Sequence, residues 1–332
     1  MIVLYVLLAL VGLIVLFLLL KLVQLFTGNK RAEIERENLA DVKLSSFGSV
    51  KNLSVLPLID FYAAEDGLAT EAGVSYLIKA DDTTILMDVG LNKQGEHPSP
   101  LLRNMEKLGV SPDDADMIYI THLHLDHVGG MKEQRTGTFS LSRGPVELSE
   151  IPAYLPVEMA PSEWNPGPVP DVSKEPRVLG KGIVSMGTIP RNLFLVGMTY
   201  EQNLAFNVEG KGIVLVIGCG HQTAERIVER AKAMFDEPIY GVIGGLHFPV
   251  HGGRLMIGPL EMQSIVGSDR VPWDGISEDD VNSAIDAIES AGPKYVSLSA
   301  HDSSDWALDR FRQAFGERYH DLKVGEELKI NV

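Results

Sequence analysis

The segment YITHLHLDHVGG, residues 119–130, places three histidines and an aspartate within six positions directly after an apolar run. These side chains are His122, His124, Asp126 and His127. Neutral imidazole nitrogens and carboxylate oxygens are ligands that divalent metal ions accept, and four of them can begin two metal sites. Distant residues must complete such sites, so the fold must bring other parts of the chain close to this turn. The alternative is a solvated polar loop, which the preceding apolar strand and the sharply turning VGG disfavour.

Residues 2–20, IVLYVLLALVGLIVLFLLL, carry no charged side chain. With the following KLVQLF they reach the roughly 20 apolar residues that cross a bilayer core, so we expect a transmembrane anchor over residues 1–26. A cleaved signal peptide is the alternative, but the segment has no basic n-region and no small-residue cleavage site. Basic residues follow the apolar run, namely Lys21, Lys30, Arg31 and Arg36. Under the positive-inside rule they predict a single-pass protein of the cell membrane with its C-terminal domain in the cytoplasm.

Composition limits the partners of the chain. A net charge of -16 without a basic cluster argues against nucleic acid as a partner, because phosphate backbones bind clustered basic side chains. The single cysteine, Cys219, excludes an intrachain disulfide framework and a zinc ribbon made of cysteines. The expected partners are therefore the membrane, through the N-terminal helix, and a small-molecule substrate, which we expect to be anionic.

The remaining chain divides into a charged segment and one large domain. Residues 27–50 are expected to form a juxtamembrane helix or linker, and residues 51–332 a single domain. A Pro-rich stretch at about 144–177 is expected to be an ordered insertion or lid of that domain. Strand-like runs alternate with amphipathic helical patterns in two series, from VSYLIKA to MIYITH and from NLAFNVEG to SDWALDRFRQAF. Two β-rich halves that each carry helices predict two sheets packed together, with helices outside.

The segment THLHLDHVGG resembles the T-H-x-H-x-D-H signature of the metallo-β-lactamase superfamily. The resemblance implies an α/β fold, the αββα sandwich, with a one- or two-metal site at one edge of the paired sheets. Further similarities extend over most of residues 65–332. The run TILMDVG is similar to a family strand that ends in an aspartate, which puts Asp88 near the site, supporting a ligand or facing the substrate. The runs GIVLVIGCGHQ, GGLHF and SLSAH supply further histidines, namely His221, His247 and His301.

The later histidines narrow the resemblance to one branch. A strand that closes in Gly-Cys-x-His, a Gly-Gly-x-His strand and a terminal VGEELKI are most similar to the branch typified by the archaeal dihydropterin ribofuranosyl-aminobenzene phosphate synthases. The chain differs from that branch at two places, and these differences bear on the substrate more than on the metal ions. The chain has HDSS where that branch has histidine, cysteine, threonine and glycine, and it has Gly220 where serine or alanine is common.

The resemblance assigns six ligands to two metal ions. It implies one ion held by two histidines of the motif and one later histidine, here His122, His124 and His221. The other ion takes Asp126, His127 and a late histidine, for which we choose His301. His247 is the alternative, and otherwise a substrate-facing acid or hydrogen-bond donor. Cys219 is expected to be either a small buried residue, the interpretation we favour, or a soft ligand.

These assignments predict a membrane-anchored dinuclear metal-dependent hydrolase. A metal-bound hydroxide would attack a small-molecule ester, phosphoester or lactone, and two divalent ions would stabilise the developing oxyanion. Asp126 and His247 are the expected catalytic residues, with Asp126 both a ligand and an acceptor that orients the hydroxide. Zinc is the expected metal, with manganese or iron as alternatives. The competing functions are a dihydropterin-type synthase, a diiron oxidoreductase and a non-catalytic metal-binding module.

Overall fold

The computed structural model describes residues 1–39, 42–254, 256–257, 260–261 and 263–331. Residues 40 and 41 of the expected linker, and residue 332 at the end of the expected domain, therefore lie outside the described residues. Within the described part, two mixed β-sheets pack face to face and helices cover their outer surfaces.

N-terminal capping residues mark where helices begin. The hydroxyl of Ser99 accepts a hydrogen bond from the backbone N–H of Leu102, and the backbone N–H of Ser277 donates to Asp280 as in a capping box. The α-helices are α1 (Ile2–Glu37), α2 (Pro100–Lys107), α3 (Leu125–Val128), α4 (Met131–Thr136), α5 (Ala224–Met234), α6 (Gln263–Val266), α7 (Glu278–Glu289) and α8 (Asp305–Phe315). Short 3-10 turns occupy Pro112–Asp114 and Gly316–Arg318.

The strands are rich in β-branched and other apolar residues, as sheets buried on one or both faces require. They are β1 (Asn52–Ile59), β2 (Ser75–Ala80), β3 (Thr83–Met87), β4 (Met117–Tyr119), β5 (Thr138–Phe139), β6 (Pro152–Leu155), β7 (Ala160–Pro161), β8 (Val169–Val172), β9 (Arg177–Gly180), β10 (Ile183–Leu193), β11 (Gly197–Val208), β12 (Gly212–Ile217), β13 (Ile239–Gly244), β14 (Met256–Ile257), β15 (Leu260–Glu261), β16 (Tyr295–Leu298) and β17 (Leu328–Asn331).

Two sheets form the centre of the fold. The seven-stranded sheet has the order β17-β1-β2-β3-β4-β6-β8, and the six-stranded sheet has the order β16-β13-β12-β11-β10-β9. Their facing sides share one core that includes Tyr76 and Phe206. Helices α5, α7 and α8 cover the outside of the second sheet, and α2 covers the outside of the first. This arrangement is the αββα sandwich that the sequence predicts.

Parallel strands bring the predicted site residues to one edge. Strands β3 and β4 are parallel, as are β12, β13 and β16, so the carboxyl ends of each group lie together. Candidate site residues follow these ends, namely Asp88 after β3, residues 122–127 after β4, Cys219 and His221 after β12, His247 after β13, and His301 after β16.

The Pro-rich stretch at 144–177 contributes to the first sheet. Its strands β6 and β8 extend that sheet beyond β4 in parallel pairing. Pro152 begins β6 and Pro170 lies in β8, the strand at the edge of the sheet, where a missing backbone donor costs least. The segment therefore widens the sheet next to the histidine motif.

Helix α1 joins the apolar N-terminal run to the domain without a break. Residues 2–20 are exposed, whereas Leu25 and Ala32 are buried against β10 and β11. The Asn192 side chain donates to the carbonyl of Leu25 at 3.1 Å, and the Asn29 side chain donates to the carbonyl of Asp269 at 2.7 Å. The first part of the expected juxtamembrane segment is thus helical and packed on the second sheet.

The close approach of α1 to β10 occurs at a glycine. A Cβ on Gly28 would overlap the Asn192 side chain, whereas a Cβ on Gly12 would have no atom within 4 Å. We expect Gly28→Leu to lower the free energy of unfolding by about 2 kcal/mol, because overpacking separates the helix from the sheet. Thermal unfolding of the full chain in detergent measures the effect, with Gly12→Leu as the matched control. Equal melting temperatures for the two variants would contradict the docked arrangement.

Candidate metal centre

A one-turn helix presents the histidine motif. Helix α3 begins after His124 and ends at Gly129, whose φ of 93° lies in the left-handed region. A Cβ on Gly129 would overlap the carbonyl oxygen of Ser140. The VGG that follows the motif is therefore a steric requirement, and it lets the chain turn away while Asp126 and His127 stay in the centre.

The first predicted ligand group comes together in the structure. His122 Nε2 lies 3.0 Å from His124 Nδ1, and His124 Nδ1 lies 3.1 Å from His221 Nε2. His122 and His221 are buried, whereas His124 is half-buried and its Nε2 lies 3.3 Å from the hydroxyl of Thr199. Three imidazole nitrogens thus converge, although His221 is 97 residues from His124 in sequence.

The second predicted group also comes together, with one addition. Ligand atoms of Asp126, His127, Cys219 and His301 all lie within 4.8 Å of one another. The Sγ of Cys219 lies 3.0 Å from His127 Nε2 and 3.2 Å from His301 Nε2. Cys219 is buried, as its favoured interpretation expects, and it lies among the predicted ligands, so burial does not separate its two interpretations.

His247 takes a position beside these groups. Its ring centroid is 4.6 Å from that of His221, and its Nε2 lies 3.2 Å from the backbone carbonyl of Gln263. The backbone N–H of His247 donates to the Asp302 carboxylate at 2.9 Å, and its φ is 56°, which is rare for a residue other than glycine. His301 is therefore the late histidine that meets Asp126 and His127, while His247 meets the first group.

Asp88 orients the turn that carries the motif. Its Oδ2 lies 2.7 Å from His127 Nδ1, and its Oδ1 accepts from the backbone N–H of Thr121 at 2.8 Å. The Thr121 hydroxyl donates to Asp88 Oδ2 at 2.7 Å. A carboxylate at Nδ1 keeps the proton there and directs the Nε2 lone pair into the centre. Of the two roles expected for Asp88, supporting a ligand or facing the substrate, its position behind His127 favours the first.

Two further buried carboxylates were missed by the sequence analysis. Asp60 accepts from the Ser299 hydroxyl at 2.5 Å, and that hydroxyl lies 2.6 Å from His301 Nδ1. This relay orients His301 as Asp88 orients His127. Burial raises the pKa of Asp60 to about 6. The signal was present in the sequence, because PLID ends a strand in aspartate just as ILMD does before Asp88.

Glu201 holds the turn that presents the later ligands. One of its carboxylate oxygens accepts from the backbone N–H groups of Cys219 and Gly220 at 2.9 and 2.8 Å, and the other accepts from His221 at 2.8 Å. Burial raises the pKa of Glu201 to about 7 despite these donors. A charged residue just before the strand-like run NLAFNVEG was the available signal, but its partners follow the next strand.

The protonation states of five of the six clustered histidines suit a metal centre. Burial lowers the pKa of His124 to about 3 and that of His247 to about 4, and it lowers the pKa of other histidines well below the usual value. Those others are His122, His221 and His301. Neutral imidazole is the form that binds metal ions. Burial also opposes charge on His127, but Asp88 and Asp126 outweigh it and raise the pKa to about 9.

The donor set fits divalent cations. Imidazole nitrogens, one half-buried carboxylate and one sulfur face one another inside a buried shell, and zinc accepts all three kinds of ligand. Nδ1 of His124 faces a ring nitrogen of His122 and one of His221, as ligands around one cation do. Nδ1 of His221 and Nδ1 of His247 also have no hydrogen-bond partner among the described residues.

Comparisons with known proteins agree with the geometry. Residues 69–187 match the family model of the Metallo-beta-lactamase superfamily. The chain is 23% identical over 321 residues to 7,8-dihydropterin-6-methyl-4-(beta-D-ribofuranosyl)-aminobenzene-5'-phosphate synthase of Methanocaldococcus jannaschii, covering 86% of this chain and 100% of that protein. The transcription termination factor FttA of Cenarchaeum symbiosum is 38% identical over 74 residues, which cover 22% of this chain and 11% of the factor.

A solved structure shares the fold. The crystal structure of Tm1679, a metal-dependent hydrolase of the β-lactamase superfamily, superposes with a TM-score of 0.56 at 19% sequence identity. The match covers 84% of this chain and 100% of Tm1679. At this identity the likeness concerns the fold, and it agrees with the two packed sheets described above.

The contact between Asp88 and His127 generates a test. We expect Asp88→Asn to weaken binding of one divalent ion by about 10- to 100-fold, because an amide no longer holds the proton on His127 Nδ1. Calorimetric zinc titration of the chelator-treated full chain measures the affinity of each site. Asp82→Asn, in the exposed turn between β2 and β3, is the control and should bind as the wild type does. An Asp88→Asn protein with unchanged affinities would show that this carboxylate has no role in metal binding.

Proposed function

Because the chain has the metallo-β-lactamase fold and residues 69–187 match that superfamily, we propose that it is a membrane-anchored, dinuclear metal-dependent hydrolase. Its substrate is a small-molecule ester, phosphoester or lactone. The observation that carries the proposal is the pair of adjoining donor groups, one around His122 and His221 and the other around His127 and His301. The relative Tm1679 is described as a metal-dependent hydrolase, in agreement with this reaction class.

The side chains of the centre have different roles in such a reaction. When bound, two divalent cations supply a water of lowered pKa and stabilise negative charge that develops on the substrate. The Asp126 carboxylate is 21% exposed, more than the other members of its group, so one of its oxygens can accept a hydrogen bond from the attacking water. Asp88, Glu201 and the Asp60 relay hold the ligands in place, so little reorganisation is needed during the reaction.

His247 is neutral and keeps one ring nitrogen as a hydrogen-bond acceptor. Its Nε2 faces the carbonyl oxygen of Gln263, which requires the proton on Nε2 and leaves Nδ1 as an acceptor. Burial lowers the pKa of His247 to about 4, so the ring is neutral near pH 7. The lowered pKa also makes the ring a weak base, so we propose that Nδ1 accepts a hydrogen bond rather than transferring a proton. His247 also lines a cavity of about 50 Å³, large enough for a water molecule but too small for a substrate.

An anionic substrate would be recognised by the cations themselves. Arg191 donates to the carbonyl of His221 at 2.8 Å and to Asp269 at 2.7 Å, so its guanidinium is already engaged. Arg254 donates to the carbonyl of Ala300 at 3.0 Å and to Asp305 at 2.8 Å. Negative charge on the substrate would instead meet the metal ions beside the half-buried His124 and Asp126.

A synthase is the second candidate function. The dihydropterin-type synthase of Methanocaldococcus jannaschii is the relative that favours it, because the similarity spans 100% of that protein. The HDSS segment supports the hydrolase instead. His301 and Asp302 of this segment lie at the centre, but the segment differs from the one found in the synthase branch. Hydrolysis assays with phosphodiesters, lactones and cyclic nucleotides, run in parallel with assays of the synthase substrates, distinguish the two activities.

The central proposal predicts loss of metal together with loss of turnover. His122→Ala and Asp126→Ala proteins should each bind fewer ions, and hydrolysis should fall by at least about 100-fold because nucleophile activation is lost. Elemental analysis and the hydrolysis assay of the same preparations provide the measurement. His320→Gln, at a ring stacked on Tyr295 far from the centre in the fold, is the control. Variants that kept both full metal content and turnover would refute the dinuclear hydrolase.

The anchoring predicts where the protein is found. The exposed apolar part of α1 is long enough to cross a bilayer, and the docked part holds the domain near the membrane. We expect the full chain to stay in the membrane fraction after alkaline carbonate extraction, and a chain lacking residues 2–20 to be released. A C-terminal reporter should be active only in its cytoplasmic form. Extraction of the full chain by carbonate would contradict the anchor, and an externally active reporter would contradict the orientation.

A further inference from the structure

The β10–β11 hairpin ends in exposed apolar residues beside helix α1. A short loop joins Leu193 to Gly197, which are paired in the sheet. Within this loop, Leu195 and Val196 are 39% and 41% exposed. Leu195 has a φ of 66°, a left-handed value that glycine or asparagine adopts more easily than leucine. An exposed leucine in this conformation favours an apolar partner outside the domain.

The hairpin lies level with the part of α1 that leaves the bilayer. With α1 as the membrane anchor, roughly 20 residues cross the hydrocarbon core, so the part that follows residues 2–20 lies in the headgroup layer. There α1 exposes Val23 and Phe26, whereas Leu25 is buried and its carbonyl accepts from the Asn192 side chain of the hairpin. The hairpin loop therefore lies at the depth of the lipid headgroups.

A cavity of about 180 Å³ lies between the hairpin and this part of α1. Its walls include the buried side chains of Leu25, Leu193 and Phe194, and Lys21 and Gln24 add polar atoms. The apolar walls suit an alkyl chain. The ammonium group of Lys21 lies where the hydrocarbon core meets the headgroups, a position at which it can meet an anionic group.

The loop between α6 and α7 also contacts α1 and carries an exposed tryptophan. The carbonyl of Asp269 accepts from the Asn29 side chain at 2.7 Å, and Trp273, in the same loop, is 76% exposed. Tryptophan rings are enriched where a bilayer meets water. Both loops thus present large apolar side chains next to the docked part of α1.

The strands of the hairpin connect the cavity to the metal centre. Two residues beyond Gly197, the Thr199 hydroxyl lies 3.3 Å from His124 Nε2. Its cross-strand partner Arg191 donates to the carbonyl of His221 at 2.8 Å. At about 3.4 Å per residue, roughly 7 Å of strand separates the cavity from these contacts. A molecule with an alkyl chain in the cavity can therefore place its head beside the half-buried His124.

We propose that the substrate is a membrane amphiphile whose apolar chain occupies the cavity between α1 and the hairpin, while its ester, phosphoester or lactone head reaches the metal centre. The inference rests on the proposed hydrolase and names the class of its substrate. The reaction consumes one water, whose oxygen joins the acyl carbon or the phosphorus. The bond from that atom to the leaving oxygen breaks, and the leaving oxygen takes a proton.

The depth of the hairpin is measurable without turnover. Leu195→Cys and Val178→Cys are labelled with a nitroxide in the full chain, in phosphatidylcholine vesicles with a nickel chelate on both sides. Val178 is the matched control, because it is 48% exposed and pairs with Val184 at the other end of β10. We expect oxygen, which partitions into lipid, to relax the label at position 195, and the chelate to relax the control. Cys219 is buried, and the wild type measures background labelling.

The chain length of the substrate tests the cavity. A carboxylic ester, a phosphodiester and a lactone, each with a one-carbon and a twelve-carbon chain, are presented to the full chain in the same vesicles. For the head that is hydrolysed, we expect a KM at least about tenfold lower with the longer chain, since burial of two methylene groups has about this effect. Leu195→Asn, whose side chain tolerates the left-handed φ, should reduce this preference, whereas Val178→Asn should keep it. Partitioning into the vesicles is the same for both variants.

The outcomes distinguish this inference from the hydrolase on which it rests. Equal KM values for the two chain lengths, or a folded Leu195→Asn protein with the wild-type preference, would overturn the amphiphile and leave the hydrolase in place. The same holds if the chelate reaches the label at position 195 as readily as the control label. A metal-loaded chain that hydrolyses none of the six compounds would overturn the hydrolase itself. Circular dichroism identifies any variant that fails to fold, and the wild-type KM values then decide.

Discussion

The hydrogen bonds from Asp88 to Thr121 and His127 are the interactions on which the centre depends. They join the end of β3 to the turn after β4, and they are buried from water. An isolated carboxylate at this depth would be costly, so its donors must all be present at once. The turn that carries the motif is therefore held in one conformation by contacts within the first sheet.

The same arrangement recurs around the centre with different residues. Asp60 acts through Ser299 on His301, and Glu201 acts on the backbone of the turn from Cys219 to His221. Asp88 and Glu201 lie on or after strands next to the ones whose ends they support, whereas Asp60, after β1, supports the end of β16 in the other sheet. Such outer hydrogen bonds fix the orientation of ligands and increase their basicity. A rigid shell of buried carboxylates around neutral imidazoles is thus the common design of the site.

Much of the architecture was predictable because its signals are local. The apolar run at residues 2–20, the alternation of strands and helices, and the crowded motif each lie within a short stretch of chain. The late histidines could be placed because each follows a strand. Asp60 and Glu201 were missed because a single acid in or next to a strand has no local partner, and their partners are 239 and 18 to 20 residues away. Cys219 looked like a small buried residue for the same reason.

The sequence by itself determined the motif, the apolar helix and the two series of strands, because periodicity and residue chemistry act over a few neighbours. It also named the side chains able to bind metal. The tertiary structure decided which of them meet, since the parallel pairing of β12, β13 and β16 brings His221, His247 and His301 to one edge. It placed His301 rather than His247 beside Asp126 and His127, and it put the sulfur of Cys219 between the two groups. Distances between strand ends depend on sheet register and packing, which no local pattern encodes.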